Sequence, residues 1–219
     1  MKAVIEPSKA EGIILAPPSK SMAHRYIICA ALSDGVSEIG NISYSEDILA
    51  TLDCVETMGA MVDRHGDYVR ITGRGLSAGG KLRFNCRECG STLRFFVPLA
   101  MLRMEESFFT GSETLLQRPM SVYEEIAEKQ NILYEKSTDG IKVCGVLKSG
   151  EYEVLGNISS QFISGLIFAL STLKEDSVVK LIPPVDSRSY IELTIKALKK
   201  FGIEITWNDD ATLYIKGGQ

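Results

Sequence analysis

The sequence predicts an α/β fold (α+β in the looser sense) of three repeated βαβαββ units around a pseudo-threefold axis, with buried central helices. Three observations carry it. Val69-Arg70-Ile71-Thr72-Gly73, Gly140-Ile141-Lys142-Val143-Cys144-Gly145 and Leu213-Tyr214-Ile215-Lys216-Gly217 close three stretches of like pattern, and their final glycines stand 72 residues apart. Such a fixed period marks a repeat architecture. The helix-ending residues Gly59, Asn131 and Gly202 are spaced 72 and 71, and Gly and Asn are the residues that take a left-handed cap at least cost. Each stretch also holds one segment that is apolar all round, which reads as a helix buried on every side. The repeats run about 13–75, 80–147 and 151–219, with no linker between them, so the expectation is one domain.

In chain order, residues 1–12 read as an irregular lead-in or short strand, and Ile13-Ile14-Leu15 as a strand. Pro17 and Pro18 mark a turn into the first buried helix, which Ser19 or Ser21 caps and which runs to about Leu32. A strand Val36–Ile42 follows, then a one-faced helix capped by Ser45 and closed at Gly59, then strands Ala60–Arg64 and Tyr68–Thr72. The second unit has strand Lys81–Phe84, an apolar helix Phe95–Leu102, strand Ser107–Gly111, and a helix with Pro119 at its start that ends at Asn131. The third has strand Tyr152–Leu155, helix Phe162–Leu173, strand Ser177–Ile182, helix Ile191–Lys200 and closing strands.

Composition narrows the function classes. The net charge is −4, so there is no global basic field for nucleic acid. No signal peptide is visible, and no apolar run reaches the ~20 residues of a membrane span. Cys29, Cys54, Cys86, Cys89 and Cys144 form no disulfide framework, which suits a reducing cytoplasm. Cys86-Arg87-Glu88-Cys89 lacks further ligands at metal-like spacing, so it reads as two ordinary thiols before a helix; neither metal nor cofactor is expected.

Charge at the helix starts is the informative feature. Lys20 and Arg25 sit in the first turns of the first buried helix, where the dipole disfavours cations by ~0.3–1 kcal/mol. Free N–H groups, the Ser21 hydroxyl and two cations there make an anion site. The repeat places Gly90, Ser91 and Arg94, and Ser159, Ser160 and Gln161, at the same end of the molecule. Arg118 and Arg188 open the second helices nearby. Cations in two successive units suit a ligand with several negative charges, and hydroxyls and an amide in the third suit a polyhydroxyl ring.

Ser19-Lys20-Ser21-x-x-His24-Arg25, Gly90-Ser91-Thr92-Leu93-Arg94, Gln117-Arg118-Pro119-Met120 and Ser159-Ser160-Gln161-Phe162 occur in the order found in the 5-enolpyruvylshikimate-3-phosphate (EPSP) synthases, and the whole chain resembles the first of that family's two domains. The resemblance implies carboxyvinyl transfer from phosphoenolpyruvate to the 5-hydroxyl of shikimate 3-phosphate, on the route to chorismate and aromatic amino acids. It implies that Lys20, Ser21, Arg25, Ser159, Ser160, Gln161, Ser187 and Tyr190 hold shikimate 3-phosphate. Gly90, Arg118, Lys20 and Gln161 would face phosphoenolpyruvate, with Lys20 catalytic and Arg94 supporting that loop. The family's acid/base carboxylates lie in its second domain, so these residues alone are expected to bind anions without turnover. Where the family has Asn-(Ser/Ala)-Gly-Thr this chain has Glu88-Cys89-Gly90-Ser91, and Glu88 is expected to pair with Arg94 or turn away. Within the fold the rival is a UDP-N-acetylglucosamine enolpyruvyl transferase, which lacks the Ser-Lys-Ser-x-x-x-Arg pattern; outside it, a non-catalytic anion-binding module.

Overall fold

Ser19 ends an extended run through Pro17 and Pro18 and caps α1 (Lys20–Leu32) by accepting the Met22 amide proton at 3.4 Å. A computed structural model describes residues 4, 6, 7, 9 and 11–219; the expected lead-in falls partly outside them, at 1–3, 5, 8 and 10. The first unit continues with β1 (Asp34–Ile39), α2 (Glu46–Thr57), β2 (Met61–His65) and β3 (Tyr68–Arg74). The second comprises β4 (Leu82–Asn85), α3 (Gly90–Ala100), β5 (Ser107–Thr110), α4 (Glu113–Leu116), α5 (Ser121–Gln130), β6 (Leu133–Lys136) and β7 (Ile141–Cys144). The third comprises β8 (Glu151–Leu155), α6 (Ser160–Leu170), β9 (Ser177–Ile182), α7 (Arg188–Lys200), β10 (Ile205–Trp207) and β11 (Thr212–Ile215).

The second and third units share one sheet plan, with strand orders β4-β5-β7-β6 and β8-β9-β11-β10. In each, the first strand runs parallel to the second and the remaining pairs are antiparallel. The first unit has only β1-β3-β2, all antiparallel. The strand expected at Ile13–Leu15 does not form, and those three side chains are exposed. Four residues separate that triplet from α1, as four separate β4 from α3 and β8 from α6. In the second unit Arg87 turns the chain with φ +51°, a conformation closed to Pro17 and Pro18, whose rings fix φ near −65°. The third unit makes the same connection with no positive φ, but there the Ile158 amide closes the turn on the Leu155 carbonyl at 3.3 Å, a bond that Pro18 at the matching position has no N–H to make.

α3 and α6 are buried along almost their whole length and pack on each other, Phe95 meeting Phe168 edge-on at 5.6 Å. Gly165 permits their closest approach: a Cβ there would lie 2.2 Å from the Arg94 carbonyl oxygen. α1 packs on α2 and α7, and reaches α3 and α6 through His24 and Arg25. Gly59, Asn131 and Gly202 all adopt the expected positive φ, at +109°, +55° and +84°. α3 begins five residues earlier than its apolar run suggests, because Cys89 caps it by accepting the Thr92 amide through Sγ. Pro119 stands before the cap of α5 and not inside the helix. Among the described residues, no helix is long and apolar enough to cross a membrane.

Candidate functional site

The starts of α3 and α6 bring Gly90, Ser91, Arg94 and Gln161 together, with Arg118 beside them. Gly90 is the first residue of α3, and an added Cβ there would lie 2.6 Å from Arg118 Nη1 and 3.7 Å from Arg94 Nη1. Arg94 Nη1 donates to Gln161 Oε1 at 2.7 Å, and Gln161 Nε2 donates to Ser91 Oγ at 2.8 Å. The Arg94 guanidinium lies over the Phe162 ring at 4.7 Å. Burial lowers its pKa, and the neighbouring Arg118 lowers it further. Arg118 is exposed, on the connection between α4 and α5. Ser159 caps α6 by accepting the Gln161 amide at 3.4 Å, and Ser160 beneath it is buried. Two cations, an amide and fresh helix N–H groups thus face one space. Glu88 is exposed and, among the described residues, forms no ion pair; Arg94 turns to Gln161 instead.

The start of α1 differs from what the sequence suggests. Lys20 is not a free cation: its ammonium pairs with Asp47 of α2, which raises the Lys20 pKa through the hydrogen bond. Burial alone would raise the Asp47 pKa, but the Lys20 hydrogen bond and charge more than offset it and hold the carboxyl below its usual range. Arg25 is only 3% exposed. Its Nε donates to Thr194 Oγ1 at 2.8 Å, Nη1 to the Ser21 carbonyl at 2.7 Å, and Nη2 to Ser164 Oγ at 3.3 Å and the Tyr190 carbonyl at 3.0 Å. Four of its five N–H donors are thereby used inside the protein. Burial pulls its pKa down to about 10.

The start of α7 completes the ring. Ser187 precedes it in the left-handed conformation, φ +56°, and its carbonyl accepts the Tyr190 amide at 2.9 Å. The Tyr190 side chain is 47% exposed. Arg188 points elsewhere: it stacks on Trp207 at 4.0 Å and pairs with Glu192 and Asp210. Asp47, Ser164 and Thr194 were not expected. Nothing in their local sequence marks them, since each meets its partner across at least 27 positions of chain. A cavity of about 470 Å³ opens at the far ends of α1 and α6, beside Cys29, Leu32, Ser171 and Gln219; no cationic side chain lines it, so it does not compete as an anion site.

The family described as EPSP synthase (3-phosphoshikimate 1-carboxyvinyltransferase) matches residues 4–219. The chain belongs to this family. A 3-phosphoshikimate 1-carboxyvinyltransferase of Clostridium perfringens is 44% identical over all of this chain and 52% of its own length. One from Clostridium beijerinckii is 44% identical over 98% of this chain and 52% of its own. The EPSP synthase structure from Acinetobacter baumannii superposes with a TM-score of 0.78 at 23% identity, over 95% of this chain and 47% of that one. At that identity the superposition speaks for the fold. The chain spans about half the length of the curated relatives it matches.

Proposed function

We propose that these 219 residues are the first half of a cytoplasmic enolpyruvyl transferase, which moves the carboxyvinyl group of phosphoenolpyruvate to the 5-hydroxyl of shikimate 3-phosphate. The observation that carries this reading is the contact set Gly90, Arg94, Arg118 and Gln161, two guanidinium groups beside an open helix start. Phosphoenolpyruvate and shikimate 3-phosphate repel each other, and cations at fixed positions offset that repulsion while holding the reacting atoms together. Gly90, Arg118, Gln161 and Lys20 face phosphoenolpyruvate, and Arg94 braces Gln161. Ser21, Arg25, Ser159, Ser160, Gln161, Ser187 and Tyr190 hold shikimate 3-phosphate, Arg25 with the one N–H its internal bonds leave. Lys20 is the catalytic group from this half. Its ammonium must leave Asp47 or share it when an anionic substrate arrives. The reaction needs the second half that the relatives carry, which supplies acid/base groups and expels water on closing.

The test is calorimetric titration of the 219-residue chain with shikimate 3-phosphate, alongside a phosphate-release assay with both substrates. Saturable binding without turnover is expected. Turnover at ordinary enzyme rates, ~1–10³ s⁻¹, or no binding of either anion, would contradict the assignment.

A further inference from the structure

His24, Asp47 and Cys89 come from α1, α2 and the turn before α3, far apart in sequence. An imidazole nitrogen, a carboxylate oxygen and the thiol sulfur lie within 4.8 Å of one another, and among the described residues no other three such donors group this way. Thr51 Oγ1 lies 2.7 Å from His24 Nδ1, and the Thr51 hydroxyl has the Asp47 carbonyl as its own acceptor at 3.2 Å. Thr51 Oγ1 also lies 2.8 Å from Thr92 Oγ1, so a hydroxyl network engages Nδ1. Nε2 is left buried with no hydrogen-bond partner, on a side chain only 1% exposed. A neutral imidazole that donates its other N–H to an oxygen is the ordinary condition of a metal-bound histidine. Lys20 already sets a positive charge against Asp47.

We propose that His24 Nε2, Asp47 and Cys89 Sγ bind a thiophilic divalent cation, zinc or cadmium, which takes Asp47 from Lys20. One nitrogen, one oxygen and one sulfur are a zinc-type donor set with a fourth position for water, and magnesium or calcium would prefer oxygen alone. On binding, the Cys89 thiol releases its proton to buffer and its sulfur forms the metal bond. Without metal, burial raises the thiol pKa and keeps it protonated. If Lys20 has the catalytic role proposed above, occupancy inhibits the enzyme; that consequence rests on the functional reading, whereas the binding test does not.

The test titrates chelator-treated, reduced chain with cadmium and follows thiolate-to-cadmium ultraviolet absorbance. A Cys144→Ser background removes the one thiol that is not buried. One cadmium per chain is expected. Cys89→Ser, which keeps an oxygen to cap α3, should abolish the absorbance, and Asp47→Asn should weaken binding by at least ~10-fold. Lys20→Ala removes the competing cation at an exposed position and should tighten binding several-fold. Absence of the absorbance in the parent, its persistence in Cys89→Ser, or unchanged affinity in Lys20→Ala would each overturn the proposal.

Discussion

Gly90 sets the tightest tolerance at the anion site. A methyl group there meets the far end of the Arg118 side chain, which can swing away, so the fold should survive Gly90→Ala while the guanidinium loses its position. A charge-assisted contact contributes ~1.5–3 kcal/mol, so affinity for phosphoenolpyruvate should fall roughly ten- to a hundredfold with the melting temperature unchanged; equal affinity by calorimetry would remove Arg118 from the site. His24 makes a second prediction. Burial, with the nearby charges of Lys20 and Arg25 added and that of Asp47 opposing, takes its pKa from 6.5 to about 4. Between those values the unfolded chain binds the proton and the folded chain does not. This group therefore contributes no penalty above pH 6.5 and progressively destabilises the fold as pH falls toward 4, by about 3 kcal/mol in the limit. His24→Asn keeps a donor to Thr51 and removes the titration. Urea midpoints of chelator-treated protein at pH 7 and pH 4.5 should diverge more for the parent than for this variant, and equal divergence would refute the buried neutral imidazole.

At the scale of elements, the parts legible in the sequence are those specified within one turn or one strand. Asn131 was readable as a left-handed cap because its position in the repeat matches Gly59 and Gly202, and β9 falls on Ser177–Ile182 as its pattern requires. Ile13–Leu15 has strand composition and the right spacing, yet it stays unpaired and exposed ahead of Pro17-Pro18. The short helix α4 was missed between the expected strand Ser107–Gly111 and the helix after Pro119, although Ser112 caps it by accepting the Leu115 amide. Candidate site residues were legible where they stand at helix starts. Asp47, Ser164 and Thr194 were not, because their roles exist only once α2, α6 and α7 are packed. Ser187 opens a helix from a left-handed backbone. Its left-handed backbone costs an L residue ~1–2 kcal/mol, of which glycine would recover part after its own entropic penalty. Ser187→Gly should leave unfolding free energy equal or up to ~1 kcal/mol higher and weaken shikimate 3-phosphate binding. A clear loss of stability in denaturant would show that the Ser187 hydroxyl serves the fold instead.

Across the whole molecule, each pair of units is joined by a buried polar junction beneath the helix starts. His24, Thr51 and Thr92 join the first unit to the second. The Tyr123 hydroxyl, set between the Arg94 and Phe162 carbonyls, joins the second to the third with Gln161 and Ser91 above it. Arg25, Ser164 and Thr194 join the third to the first. The cations at the helix starts therefore divide into two kinds. Arg25 is spent on its junction: Arg25→Ala removes four hydrogen bonds from a buried site, leaving Thr194, Ser164 and the Tyr190 carbonyl only their bonds to one another, and should be the most destabilising of the Ala changes at Lys20, Arg25, Arg94 and Arg118. Lys20 is paired at an exposed position, worth ~0–1 kcal/mol. Arg118 makes no side-chain bond among the described residues and sits beside another guanidinium, so it is the cation an anion would neutralise with most effect. Sulfate that binds only the folded state stabilises it by RT ln(1 + [L]/Kd), ~2.7 kcal/mol at a hundredfold excess over Kd. Sulfate also stabilises generally by exclusion from protein surface. At matched ionic strength, sulfate should therefore raise the melting temperature more than chloride in the parent and in Lys20→Ala. Arg118→Ala should start from the parent's stability and keep only the general part. Arg25→Ala should start lower and keep the sulfate-specific part. If Arg118→Ala responds to sulfate as the parent does, the two guanidinium groups do not form an anion site, and the junctions beneath them are structural alone.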